Sequence, residues 1–264
     1  MIRATVANTK DATFCVELPN LQNQGMPTPA GTGFFVSPDG WFLTALHVVA
    51  AAIQSNDGAL NDPSKWWLMK EGEGSFGAMC QHVSVGPIIP HLDIAFLKVD
   101  YEANKAKAWL SDQDSFPFIK PSVVMLEDGA PVYSFGYPLS SAKVHSFEGG
   151  FIGDSALCPR VTSAIVSSSI EQTKAVWTSD DPKLYVLDKA LNYGNSGGPI
   201  VSSESGHVHA ICTRFQPVFI PQVHMKQGNE VPMVMMPSLY GVVSRLDNPE
   251  ISSLFTELGI EFVS

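Results

Sequence analysis

Ser196 sits in Gly194-Asn195-Ser196-Gly197-Gly198, a G-x-S-x-G stretch in which a serine hydroxyl could act as a nucleophile. A serine is a poor nucleophile at neutral pH. It needs a histidine to take its proton and a carboxylate to fix the tautomer of that imidazole. Chain order sorts the candidates. An order of serine, acid, histidine places the serine on a strand-to-helix elbow. Here it would leave Glu204 as the one carboxylate between Ser196 and the last histidine, His224, while "GPIVSSESGHVHAI" reads as strand, turn, strand. An order of acid, histidine, serine built on His47 would call on Asp11, Glu17 or Asp39, and Asp39 belongs to a turn. The order His47, Asp93, Ser196 fits far better. His47 is expected to end a strand in "LTALHVV", Asp93 to open one in "HLDIAFLKV", and Ser196 lies in the glycine turn.

The elements that must position these residues read as β-structure. Short apolar runs rich in Val, Ile, Phe and Thr are punctuated by 19 prolines and 21 glycines spread along 264 residues. In "GTGFFVSPDGWFLTALHVV" (31–49), Ser37-Pro38-Asp39-Gly40 suits a type I turn between two strands. Runs at 12–18, 65–69, 78–86 and 93–99 complete a first β unit, a half spanning 1–110. A polar, proline-bearing stretch at 101–120 separates it from a second half at 120–245, where "SVVML" at 122–126 opens a set of about six strands. Two six-stranded antiparallel β-barrels within one domain over 1–264 is the economical all-β architecture. No helical period competes until the C-terminus. There Asn248 can cap and Pro249 fits the first helical position, while Ile251, Leu254, Phe255 and Leu258 give a short amphipathic helix over 248–259.

Composition excludes several function classes. The net charge of −10 and the absence of a Lys/Arg cluster argue against nucleic acid as a partner, and acidic groups at 71–74 and 179–181 read as solvated loops. No stretch approaches a membrane span and the first residues lack the apolar core of a signal peptide, so a cytoplasmic location is expected. Cys15, Cys80, Cys158 and Cys212 are far apart and are read as small buried apolar residues rather than disulfides. His207 and His209 alternate on an expected strand without a third ligand, so no metal and no cofactor are expected.

"GTGFFVSPDGWFLTALHVV", "DIAFLKV", "YSFGYP", "VTSAIVSS" and "GNSGGPIV", in order from about residue 31 to about 245, resemble the trypsin-like serine proteases, and most of all their HtrA (Deg) branch. The resemblance implies a chymotrypsin-like double barrel, with His47 and Asp93 from the first barrel and Ser196 from the second meeting in the cleft between them. It implies peptide-bond hydrolysis of a polypeptide substrate, with Ser196 as nucleophile, His47 as general base and then acid, and Asp93 holding the imidazole. The backbone N–H groups of Gly194 and Ser196 would form the oxyanion hole. Ala190 would lie at the base of the pocket for the residue before the scissile bond. Thr213 would pair its backbone with the substrate, and Phe215 would stand on the pocket wall. The absence of an ionic partner at Ala190 implies cleavage after small or medium apolar residues, although Asp188 lies close in sequence.

The chain departs from the family in three ways. Asn195 replaces the aspartate that pairs with a newly cut N-terminus in trypsin-type zymogens, and no activation-cleavage motif precedes residue 31. A domain without the PDZ module usual in HtrA proteases is expected. Control would then come from oligomerisation, from a regulatory protein, or from loops such as a long one at 215–231. An alternative of a different class is a latent protease or pseudoprotease that binds protein until a partner orders the loop around 190–195.

Overall fold

The computed structural model describes residues 2–20, 27–54, 62–71, 78–107, 109–147, 150–170, 183–221 and 233–264. Seven strands from the first part of the chain make one antiparallel sheet. They are β1 (Thr13–Pro19), β2 (Pro27–Phe35), β3 (Trp41–Ala45), β4 (Trp67–Lys70), β5 (Ala78–Cys80), β6 (Val83–Ile89) and β7 (Ile94–Val99). Their order is β5-β4-β1-β2-β3-β7-β6. Every residue of β1 is buried, as a strand paired on both edges and covered on both faces must be.

The second part supplies β8 (Pro131–Gly136), β9 (Ser141–Phe147), β10 (Gly150–Ala156), β11 (Arg160–Ile170), β12 (Leu184–Leu187), β13 (Pro199–Ser202), β14 (Val208–Pro221) and β15 (Met233–Arg245). Six of these close a barrel in the order β11-β12-β15-β14-β13-β8, and β9 and β10 pair as a separate ribbon. The architecture is thus mostly strands in two units, as expected. The first unit is a sheet of seven strands, and the second is the closed six-stranded barrel.

One apolar core joins the two units. Phe34, Leu43 and Phe96 of the sheet pack with Tyr133, Val201 and Ile211 of the barrel, all buried. The C-terminal helix, Pro249–Glu257, inserts Ile251 and Phe255 into the same core. Its start is as read from the sequence: the Asn248 side chain accepts from Glu250 N–H at 3.0 Å and Pro249 occupies the first turn. The hairpin between β2 and β3 also turns at Ser37–Gly40, with Gly40 N–H donating to the Ser37 carbonyl at 3.3 Å and Gly40 at φ +100°.

Several local expectations fail. Two helices precede the C-terminal one over more than a single turn: α1 (Ile2–Ala12) and α2 (Leu46–Gln54). His47 therefore does not end a strand; β3 stops at Ala45 and His47 is the second residue of α2. The segment 122–126 is not a strand of either sheet, being tied by isolated bridges from Pro121 to Val208 and from Ser122 to Val263. Residues 215–221 continue β14 instead of looping, while 222–232, His224 among them, lie outside the described residues. The acidic groups at 72–74 and 179–181 lie outside them as well. Cys15, Cys80 and Cys212 are buried and free, and Cys158 is half-buried and free. Among the described residues no helix is long and apolar enough to cross a membrane.

Candidate active site

Helix α2 starts directly after β3 with Ala45 before it, so no local side chain can cap its first N–H groups. Asp93 does so from a distance. It ends a short 3-10 turn, Pro90–Leu92, in the left-handed conformation at φ 57° and ψ 42°, which aspartate tolerates better than most residues. From there its carbonyl accepts Leu46 N–H at 2.9 Å and its Oδ1 accepts His47 N–H at 2.8 Å. Its second oxygen, Oδ2, accepts Nδ1–H of the His47 ring at 2.6 Å. Three acceptors of one residue thus fix the helix start and the ring together, and the carboxylate charge lies where the helix dipole favours it. With Nδ1 as donor, Nε2 of the half-exposed ring is the acceptor.

Ser196 occupies a turn held from several sides. The Asn192 carbonyl accepts Asn195 N–H at 3.0 Å, and Gly194, third in that turn, has φ +92°, the signature of a type II turn. Glycine is required here. A Cβ at 194 would lie 2.6 Å from the Tyr137 carbonyl oxygen. Gly197 N–H donates to the Cys212 carbonyl at 2.7 Å, Gly198 N–H to Asn195 at 2.8 Å, and Cys212 N–H to Gly198 at 2.9 Å. Between these donors, Gly194 N–H and Ser196 N–H make no hydrogen bond to any described residue. Two free backbone donors therefore flank Asn195 in the turn that carries Ser196. The Ser196 hydroxyl also has no hydrogen-bond partner among the described residues.

The turn is braced by the other unit through Thr32. Its N–H donates to the Ser196 carbonyl at 2.7 Å, and its hydroxyl donates to the Gly194 carbonyl at 2.6 Å while accepting Tyr137 N–H at 3.1 Å. The Thr32 carbonyl in turn accepts the Thr44 hydroxyl at 2.7 Å. Thr32 and Thr44 are fully buried. Sequence reasoning missed both; the two glycines beside Thr32 are the one local signal, and nothing in them shows that the threonine reaches a glycine 162 residues away.

His47, Ser196 and Gly194 line one open cleft of about 530 Å³, and Ala190 and Thr213 line it too. Five of the residues singled out from sequence are thus brought together, and Asp93 joins them through His47. Thr213 lies in a β-bulge of β14, where Cys212 faces Val243 and Arg214 faces Val242, so Thr213 is left outside the ladder. Its hydroxyl is tied inward to Ser244 at 2.9 Å, and Ser244 donates to the Leu92 carbonyl at 2.8 Å, next to Asp93. The backbone of residue 215 pairs with Gly241, but the Phe215 side chain lies outside what is described. Asp188 is not part of the cleft lining; its carboxylate is exposed and accepts Ile165 N–H at 2.8 Å. Burial first, and then the charge of Asp93, pushes the Cys212 thiol up to about 12, so it stays a neutral thiol beside the dyad.

Residues 31–211 match the family described as trypsin-like peptidase domain, well over half of the 264 residues. The chain belongs to that family. Curated relatives include "Serine protease HTR4" of Rattus norvegicus, 27% identical over 194 residues that are 73% of this chain and 31% of the relative. "Serine protease HTRA4" of Homo sapiens is 25% identical over 180 residues, 67% of this chain and 29% of the relative. The chain thus spans about a third of the length of the curated relatives it matches. Both names agree with the HtrA-like character of the motifs, and the trypsin-like domain is similar to these serine proteases where they align.

Proposed function

We propose that this trypsin-like domain is a serine endopeptidase working through His47, Asp93 and Ser196. Ser196 Oγ attacks the scissile carbonyl carbon while its proton passes to Nε2 of His47. Asp93 Oδ2 keeps Nδ1–H and balances the imidazolium charge. The carbonyl oxygen, now negative, is received by Gly194 N–H and Ser196 N–H, each such donor being worth about 10²–10³ in turnover. Collapse of the tetrahedral intermediate breaks the C–N bond, His47 returns the proton to the departing amine, and an acyl-enzyme remains. Water then repeats the sequence and frees the acid. The contact between serine and imidazole is one that tightens when substrate binds.

The observation that carries this reading is the pair of free backbone donors at Gly194 and Ser196 in the cleft that holds the His47–Asp93 pair. It also speaks against the latent alternative. A hole that is not formed needs the central peptide of the 192–195 turn rotated, with φ near −90° at the third position, whereas Gly194 has φ +92°. The bulged Thr213 supports substrate pairing as an added strand, and the uncharged Ala190 supports cleavage after small or medium apolar residues. The test is intact-mass analysis after a fluorophosphonate probe. One adduct on the wild type that is lost in Ser196→Ala is expected; folded protein that takes no adduct would refute the assignment. A second measurement, cleavage of a peptide with arginine before the bond as fast as one with valine, would sink the specificity reading alone.

A further inference from the structure

We propose that the leaving-group side of the cleft is an apolar subsite built on Leu139 and Tyr193. It selects substrates with a large apolar side chain within the first two residues after the scissile bond. This rests on the peptidase reading above and adds to it a substrate class on the side of the bond that Ala190 and Thr213 do not touch.

Exposed apolar side chains are common singly and carry little meaning. Here, among the described residues, the two most exposed large ones are Leu139 and Tyr193, at 78% each, against 52% for the next, Tyr240. Both line the cleft that contains His47 and Ser196. Leu139 is held at φ +62°, a left-handed conformation that disfavours residues carrying a Cβ and that glycine or asparagine would adopt with less strain. A leucine kept both strained and bare at the edge of a cleft is the kind of outlier from which function is inferred.

Position gives the side. The turn bearing Leu139 packs on the Gly194 turn, because a Cβ at 194 would come within 2.9 Å of Pro138 Cα. The acyl half of a substrate uses the wall of Ala190 and Thr213. The wall left for the departing half is Pro29, Ala30, Leu139 and Ser140, with Tyr193 beside the Gly194 turn. No Lys, Arg, Asp or Glu lines the described cleft, and His47 is the one histidine there, so a charged side chain entering away from His47 finds no counter-charge among the described residues. Leucine, isoleucine, methionine or phenylalanine leaves no charge unpaired on entry and removes apolar surface of its own and of the two exposed side chains from water.

The experiment is cleavage of a proteome-derived peptide library by the wild type and by Leu139→Gly, with every cut read by mass spectrometry. It assumes nothing about the residue before the bond. Glycine suits the backbone at 139, and a melting curve checks that the variant is folded. The expected result is large apolar residues enriched over acidic ones by about tenfold at one of the first two positions after the cut. In Leu139→Gly that ratio should fall to about the composition of the library. Cuts with no apolar enrichment after the bond overturn the subsite alone, as does an enrichment that Leu139→Gly leaves intact. Fluorophosphonate labelling without any cut overturns it as a peptide-binding surface. No labelling and no cut overturn the peptidase reading and the subsite with it.

Discussion

Replacing Thr32 by valine keeps the shape of a fully buried side chain and removes one oxygen that two backbone groups depend on. The Gly194 carbonyl loses its donor at 2.6 Å and Tyr137 N–H loses its acceptor at 3.1 Å. Each buried group left without a partner costs about 1–3 kcal/mol, so Thr32→Val should lower unfolding stability by about 2–6 kcal/mol. The methyl in place of the hydroxyl also meets the Gly194 oxygen well inside contact distance. That carbonyl must turn away, and the peptides on either side of Gly194 turn with it, moving the two free N–H groups. Turnover of a fluorogenic peptide should fall by about 10²-fold, in kcat more than in KM, since the donors act on charge that develops only in the transition state. Thr32→Ser, which keeps the oxygen, should recover most of both losses. Urea melts report the first effect and steady-state kinetics the second. A valine variant with kcat within about threefold of wild type would refute the coupling of Thr32 to the oxyanion turn, even if stability dropped as expected.

Other outcomes follow from the same geometry. Asp93→Asn can still accept His47 N–H but presents an N–H₂ group toward the ring, which favours the wrong tautomer; kcat should fall by about 10⁴-fold with little change in the melting curve. Gly194→Ala puts a Cβ 2.6 Å from a backbone oxygen at φ +92°, so fluorophosphonate labelling should be lost while circular dichroism stays native. His209 is buried, and burial first, with His207 second, depresses its pKa below 6.5 despite the hydrogen bond to the Val124 carbonyl. The unfolded chain therefore takes up this proton before the folded one does. The contribution of neutral His209 is complete above about pH 6.5 and is lost as pH falls below it, which His209→Gln should abolish in urea midpoints measured at about pH 7.5 and 5.5.

The site was legible in sequence where it depends on residue order and local turns. His47, Asp93 and Ser196 fall in one order that fits the flanking motifs. Pro249 and Gly40 mark a helix start and a hairpin by backbone rules that hold anywhere in a chain. What was not legible depends on contacts between distant segments. "LHVVAAAIQ" looks like the end of a strand because its β-branched residues follow one and no capping residue precedes it; the cap is Asp93, supplied across 46 residues. The contacts of Thr32 are hidden for the same reason, since they reach Tyr137 and Gly194 far along the chain. The run at 78–86 reads as one strand but folds as two, β5 and β6, divided where His82 takes φ 59°.

The brace from Thr32 to the serine turn also bears on when the chain can become dangerous to its neighbours. His47 and Asp93 belong to the first unit and meet within it, while Ser196 and the two free N–H groups beside it belong to the second and are held by the first. On the proposed reading, a chain emerging from synthesis, or one that has lost half its structure, would own at most an aligned base with nothing to deprotonate, or a serine in a slack turn. Hydrolytic capacity would arrive only with the last docking event. The fold itself would then act as a safety catch.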